Sequence, residues 1–449
     1  MVHPIFPPSL PVSRRTLLGG LLGTAALGLA GCSGAGEPAA QAPAPSSTEV
    51  LGRTDLEILA WTNGPTIDDN FKKRVELFNA EMAGKFTAKI NFLPYDQYWQ
   101  KIQLQYAANK PFDIYYWDVQ AYAHYKKGLI LNQQPAIDAT EMVDPTKYPT
   151  KLYDPWRFDG TNLYGVPENI QSMALFYNRS HFDDAGIGYP DATWTWEKVM
   201  EVAPELTKKS GDRTTRWGLD IGDLGVWWGI QTLAWAAGTA FVDKPLEPTA
   251  FQMTDPKVVE AMTFVQDLMW AKHIAPRPEE RDAVTANNGG FASGAYSMMP
   301  GGTWGIASYQ QMKDEWAMAP LPLYQGTSTA PYWLGGWVVP AKSGAISAAQ
   351  AFALWSATTF QSTMAKNHDW IPLQNAARGS RDMLDGMPEG FAAAMEFFND
   401  TATSEIYTTN MQQIFNEVFS PNFDQLLRNK LTPADAAQRM QDAATKLLT

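Results

Sequence analysis

Between Asp55 and Asp118 the chain switches repeatedly between two hydrophobic periods, and this switching limits the fold more than any other feature. Leu56-Glu57-Ile58-Leu59-Ala60-Trp61 is an apolar run of strand length, closed by the turn Thr62-Asn63-Gly64-Pro65. From Asp68 to Ala83, Phe71, Val75, Phe78 and Met82 recur at helical spacing, with Gly84 in the C-cap position. Phe86 to Phe92 alternates as a strand, Tyr95 to Asn109 is helical, and Phe112 to Trp117 is a third strand ending at Asp118. Strand, helix, strand, helix, strand predicts an α/β fold with a parallel sheet. Ligands of such sheets bind outside the carboxyl ends of the strands. Here those ends are Trp61 to Gly64 and Trp117-Asp118.

Further along, Gly165-Val166-Pro167-Glu168-Asn169-Ile170 opens as a strand, breaks at a polar pair, and resumes as an apolar run to Asn178. The spacing predicts helices near 194–209, 226–238 and 255–272. A short strand at Ala295 to Met299 precedes the small-residue turn Pro300-Gly301-Gly302-Thr303-Trp304. Another strand-like run covers Tyr332 to Pro340, and the tail from Ser347 is mostly helical, with no internal repeat.

The amino terminus has a different logic. Leu17 to Gly31 is free of charge but too short to span a bilayer, which takes about 20 apolar residues. A positive start, a short apolar core and small residues before a cut site describe a secretory signal over residues 1–31. Ser13-Arg14-Arg15-Thr16-Leu17-Leu18 resembles a twin-arginine export signal, and Leu29-Ala30-Gly31-Cys32 resembles a bacterial lipobox, in which the cysteine is lipidated. Cys32 would then anchor the protein to the outer face of the cell membrane, since more than one acyl chain holds stably. Residues 32–53, rich in Ser, Gly, Ala, Pro and Gln, are expected to be a flexible tether. With a single cysteine the chain forms no internal disulfide.

The roughly 395 residues after the tether exceed what one core usually serves, so two lobes are expected. The formal net charge is -12, and loss of Arg14 and Arg15 with the signal takes it to -14. Such a surface argues against nucleic acid, whose phosphates need clustered cations. Aromatic residues make up 12% of the chain, including 17 Trp and 17 Tyr. Flat rings with a polar handle stack on sugar faces, so carbohydrate is the substrate class this suggests, with a large aromatic core as the competing explanation. The five histidines are scattered without metal-ligand spacing, and no nucleophile elbow, phosphate loop or cofactor motif occurs. No metal, cofactor or enzymatic activity is therefore expected.

With these segments in order, the mature chain resembles the extracellular solute-binding proteins of sugar ABC importers, the maltodextrin-binding type. The resemblance rests on WTNG at the end of the first strand, YWQKIQLQYAANKPFDIYYWD, YGVPENIQSMALFYN, FASGAYSMMPGGTW and WLGGWVVP. It implies two α/β lobes with the ligand in the cleft between them, closure on the ligand, and delivery to the membrane subunits of an ABC permease by a monomeric protein. On this resemblance the lobes are expected at 54–165 plus 295–335 and at 166–294 plus 336–449.

A sugar cleft needs rings to cover the apolar faces and carboxylates or amides to take the hydroxyls. Asn63 and Asp118 stand at strand ends, where a turn role and a helix N-cap role compete with ligand binding. Glu168 and Asn169 interrupt a strand at the expected crossing. Trp304 follows two glycines that allow close backbone approach, and Gly336-Trp337 repeats that logic. Trp228, in the pair Trp227-Trp228, and Trp370 complete the candidate set. Two other readings stay open. An anionic sugar derivative or glycerol phosphodiester would need a cation such as Arg378 or Arg381. A lipid-anchored glycoside hydrolase would need two carboxylates across the bond, for which Glu168 and Asp118 are available.

Overall fold

The computed structural model describes residues 52–62, 64–117, 121–288, 290–310, 312–327, 329–395 and 405–448. The signal, Cys32, most of the tether, Asn63 and Asp118 lie outside them. The expected α/β alternation is present at the start of the described chain: β1 (Asp55–Trp61), α1 (Pro65–Glu81), β2 (Thr87–Leu93), α2 (Tyr95–Ala107) and β3 (Ile114–Trp117). β1 pairs in parallel with both β2 and β3. α1 begins three residues before the periodic stretch because Pro65, with φ already near the helical value and no N–H to leave unpaired, suits a first turn. Its Phe71, Val75 and Phe78 are buried against the sheet.

The strand that opens at Val166 does not break. β4 (Val166–Asn178) runs through 13 residues, all buried. Its pairing with β9 (Tyr332–Val338) shifts register between Pro167 and Asn169, so Glu168 is the extra residue of a bulge, which turns its side chain without ending the strand. The first half of β4 pairs with β9 and the short β10 (Ile371–Pro372). The second half, from Met173, pairs with β7 (Tyr296–Gly302) and β8 (Trp316–Ala319). β7 in turn pairs in parallel with β6 (Arg213–Leu219), which carries the edge strand β5 (Lys208–Ser210). The strand order is β2-β1-β3-β9-β4-β7-β6-β5, and β4 is the element both halves share.

These pairings correct the expected lobe boundaries. Residues 295–302 do not return to the first lobe: β7 is a buried strand beside β6. β9 does not leave the first lobe: Tyr115 and Tyr116 of β3 pair with Val338 and Trp337. The helix Ile346–Ala357 packs on β1, β4 and β9. The first lobe thus comprises residues 52–172 and 332–375, and the second comprises 173–331 and the carboxyl-terminal helices. The third crossing falls between Asn375, whose N–H bonds Lys147 O, and Glu389, whose carbonyl takes the Met318 N–H. The glycine-rich turn of the sequence is therefore a strand end. Only long-range pairing distinguishes the two.

Close approach of β9 to β3 and β4 needs Gly335. A Cβ there would collide with the Tyr116 hydroxyl and lie 2.6 Å from the Asn169 side-chain oxygen. Gly335→Ala should lower stability by about 1–3 kcal/mol, the usual cost of overpacking, read from the midpoint of urea unfolding. A midpoint equal to that of the parent would show that β3 and β4 move apart freely.

Candidate functional site

The expected site residues separate into two groups. Glu168, Asn169, Gly336 and Trp337 belong to the core of the first lobe. The Glu168 side chain is fully buried, ion-paired to Arg74 Nη1 at 2.7 Å, and accepts from Trp337 Nε1 at 2.7 Å and from the Ser356 hydroxyl. Arg74 is itself 1% exposed and lies over the rings of Phe71 and Phe360. Every strong acceptor direction of Glu168 is used, and Trp337 presents no surface at all. The two residues satisfy each other, and neither faces the cleft. Asn169, equally buried, donates to the Tyr116 hydroxyl at 2.6 Å. Gly336 faces Pro167 across β4, where a Cβ would stand 2.8 Å from the Pro167 Cα, so its smallness serves strand packing.

Trp228, Trp304 and Trp370 take the other direction. Trp304 stands in the turn Thr303–Gly305 at the end of β7, and Trp228 in the first turn of the helix Trp227–Ala236, both in the second lobe. Both meet Trp333, at the start of β9 in the first lobe: Trp304 and Trp333 centroids are 5.2 Å apart and nearly perpendicular, and Trp228 and Trp333 are 6.4 Å apart. All three rings are half-buried. Sequence reasoning quoted Trp333 but did not select it; its place at the start of a strand next to a Gly-Gly pair was the available signal. Its indole N–H donates to Glu405, a carboxylate that sequence reasoning also passed over.

The chain holds Trp304 in place by specific bonds. The Gly302 N–H donates to Asp223 Oδ2 at 2.8 Å, and the space a Cβ would take on Gly302 is filled by the Trp304 indole. Burial pushes the Asp223 carboxyl up to about 6. The Thr303 hydroxyl donates to Gln171 at 2.6 Å and accepts from the Ser172 N–H at 3.1 Å. The turn is thereby tied to β4 at the point where β4 changes lobe.

Trp370 is 8% exposed and stacks at 24° and 6.5 Å on Tyr116. It shares a small pocket with Gln171, Thr303, Trp304 and Asp369. Around the carboxyl end of β1, Trp61 packs edge-on against Tyr95, Tyr98 and Tyr116, and Tyr95 is 40% exposed. A wider cavity of about 1050 Å³, counting its open mouth, separates α2 and α3 (Ala121–Lys126) from residues 408–412 of the second lobe. Trp99, Gln103 and Lys127 line one side, and Thr408 and Gln412 the other. At its edge the lobes touch: Glu247 of the second takes the Tyr122 hydroxyl and, at 2.7 Å, the Lys126 ammonium of the first.

The cations proposed for an anionic ligand are engaged elsewhere. Arg378 donates to the Leu373 carbonyl at 2.8 Å and to Asn375 at 2.7 Å, and Arg381 is an exposed partner of Asp385. No group of three metal-ligating side chains occurs among the described residues, and no helix there is long and apolar enough to cross a membrane.

Comparison with known proteins agrees with this architecture. The maltodextrin-binding protein MdxE of Bacillus subtilis is 22% identical over 280 residues, 61% of this chain and 64% of that protein. The sn-glycerol-3-phosphate-binding periplasmic protein UgpB of Rhizobium meliloti is 26% identical over 230 residues, 49% of this chain and 51% of that protein. The chain thus spans between half and two thirds of the length of these curated relatives. Among solved structures, the ABC substrate-binding protein Lmo0181 from Listeria monocytogenes, in complex with cycloalternan, superposes with a TM-score of 0.77 at 20% identity, covering 88% of this chain and 99% of that one. The GacH receptor of Streptomyces glaucescens gives 0.72 at 20% identity over the same shares. At such identities the likeness shows the two-lobe fold. Residues 73–394, well over half the chain, match the family described as bacterial extracellular solute-binding protein, and the chain belongs to that family.

Proposed function

We propose that this protein is the substrate-binding component of an ABC importer, that it captures a carbohydrate outside the membrane in the cleft between its lobes, and that it hands the ligand to the permease by closing. The observation that carries this reading is the indole cluster at the lobe junction. Trp228 and Trp304 come from one lobe and Trp333 from the other, half-exposed, with the Glu405 carboxylate on the Trp333 N–H. Rings from both lobes beside a carboxylate suit a sugar, with its apolar ring faces and rim of hydroxyls. Contacts made by both lobes at once favour the closed state, and ligand affinity for that state becomes a population shift that a permease can read. The Lys126–Glu247 ion pair also joins the two lobes. The lipobox-like Leu29 to Cys32 would keep the protein, as a monomer, near the permease through an acyl anchor and the tether 32–53. The same reading makes it a carrier: Glu168, one of the two carboxylates weighed for a hydrolase, is locked in the core.

A thermal-shift screen against mono-, di- and oligosaccharides, sugar acids and glycerol phosphodiesters tests this. A ligand at 100 times its dissociation constant stabilises the fold by about 2.7 kcal/mol. Trp304→Ala should weaken the saccharide found in this way at least tenfold in calorimetry, with the melting temperature nearly unchanged. Equal affinity in the variant would remove Trp304 from the site, and product appearing in the oligosaccharide wells would overturn the carrier reading.

A further inference from the structure

Next to Trp370 stands a buried carboxylate that makes no well-formed hydrogen bond inside the molecule. The helix Gln361–Asn367 ends at His368, whose φ of 53° turns the chain inward, and Ile371 and Pro372 then pair with Ile170 and Asn169 of β4. Asp369, held between these two constraints, is only 4% exposed. Neither of its oxygens makes a well-formed hydrogen bond, although the Asn367 side chain approaches as a donor, and the Trp370 indole N–H has no acceptor. Both residues line the pocket that contains Gln171, Thr303 and Trp304. Buried polar groups are normally satisfied, and a charged one left unmet is among the costliest features of a fold.

We propose that Asp369 and the Trp370 N–H together recognise an uncharged, hydroxyl-bearing end group of the ligand and exclude phosphate and carboxylate from this end of the cleft. The inference rests on the reading of the cleft as the carbohydrate site. The free space between the walls of this pocket is about 10 Å³, the room of one water-sized group, so it suits a single hydroxyl at the end of a longer ligand. A hydroxyl is donor and acceptor at once. It gives its proton to Asp369 and receives the Trp370 N–H. A phosphate brings only acceptors and negative charge. The charges that face Asp369 do not offset it: Arg74 is paired with Glu168, Lys73 is exposed, and His368 Nε2 is bonded to the Asp382 carbonyl. Burial pushes the Asp369 carboxyl up to about 6, so near neutral pH it is largely ionised and repels an anion. Specificity of this kind comes as much from the penalty on the wrong ligand as from contacts to the right one.

Isothermal calorimetry on the full chain with maltotriose, mannobiose and sn-glycerol 3-phosphate tests the proposal. The parent should bind a saccharide and not the phosphate. Asp369→Asn keeps the shape and removes the charge, and should weaken that saccharide at least tenfold. Trp370→Phe removes the N–H together with one ring of the indole, should weaken it at least threefold, and covers the case in which Asp369→Asn does not fold. Parent-like saccharide affinity in the folded variants, or phosphate bound by the parent as tightly as the saccharide, overturns the proposal. Trp304→Ala separates the two readings. If it loses binding while the Asp369 and Trp370 variants do not, the cleft stands and only the end-group assignment falls. If no saccharide binds the parent, both fall.

Discussion

Arg74→Ala should lower the unfolding free energy by about 3–5 kcal/mol, a loss large enough to threaten folding in the cell. The reason lies in what stays behind. Without the guanidinium, Glu168 remains a fully buried carboxylate with the Trp337 N–H, the Ser356 hydroxyl and, at 3.4 Å, the Asn169 amide as its neutral partners. The guanidinium also covers the rings of Phe71 and Phe360 at 4.5 and 4.6 Å, contacts that alanine cannot make. Urea unfolding of the variant measures the loss, and adding Glu168→Gln should restore part of it by removing the stranded charge. A single-variant loss below about 1 kcal/mol would mean that water reaches Glu168 and that the bulge in β4 is not the closed core the structure shows.

Asp369→Asn should raise stability by about 1–3 kcal/mol at pH 8. The carboxyl is pushed from an ordinary 3.8 up to about 6 by burial, and each pK unit corresponds to about 1.4 kcal/mol. Between those two values the folded protein holds a proton that the unfolded chain has lost. Stability therefore falls as pH rises through that window, and the penalty is complete above about 6. Asp223 makes the same kind of contribution, likewise near 6, in parent and variant alike. Acids such as Asp243, held down near 2 by the Thr249 hydroxyl, act in the opposite direction in both proteins. The difference between parent and variant should thus be small at pH 4 and largest above pH 6. A difference independent of pH would show that Asp369 is not ionised in the fold. A gain in stability together with a loss of affinity would mark it as a residue kept for binding at the expense of the fold.

The first β-α-β-α-β stretch was legible in the sequence because its signals are local. Phe71, Val75 and Phe78 mark one face of a helix whatever it packs on, and Leu56 to Trp61 is a buried strand on its own composition. The anchor-like cysteine and the turn after β1 are local patterns of the same kind, though Cys32 and Asn63 lie outside the described structure. The lobe boundaries were not legible. FASGAYSMMPGGTW and WLGGWVVP are each a strand beside glycines, and nothing within either segment tells which half of β4 it will pair with.

The site divides on the same line. Composition pointed to indoles and carboxylates in one cleft, and Trp228, Trp304 and Trp370 lie at the lobe junction or in the pocket beside it. Sequence could not tell that Glu168 and Trp337, correct in type, would satisfy each other, because their third partner, Arg74, lies 94 residues from Glu168. Nor could it separate Asp369, buried without a well-formed hydrogen bond, from the many acids that have one. Periodicity and residue chemistry are properties of a segment and can be read from it. Whether a polar group finds its partner inside the protein or is left for a ligand depends on which distant segments fold against it, and only the tertiary structure decides that.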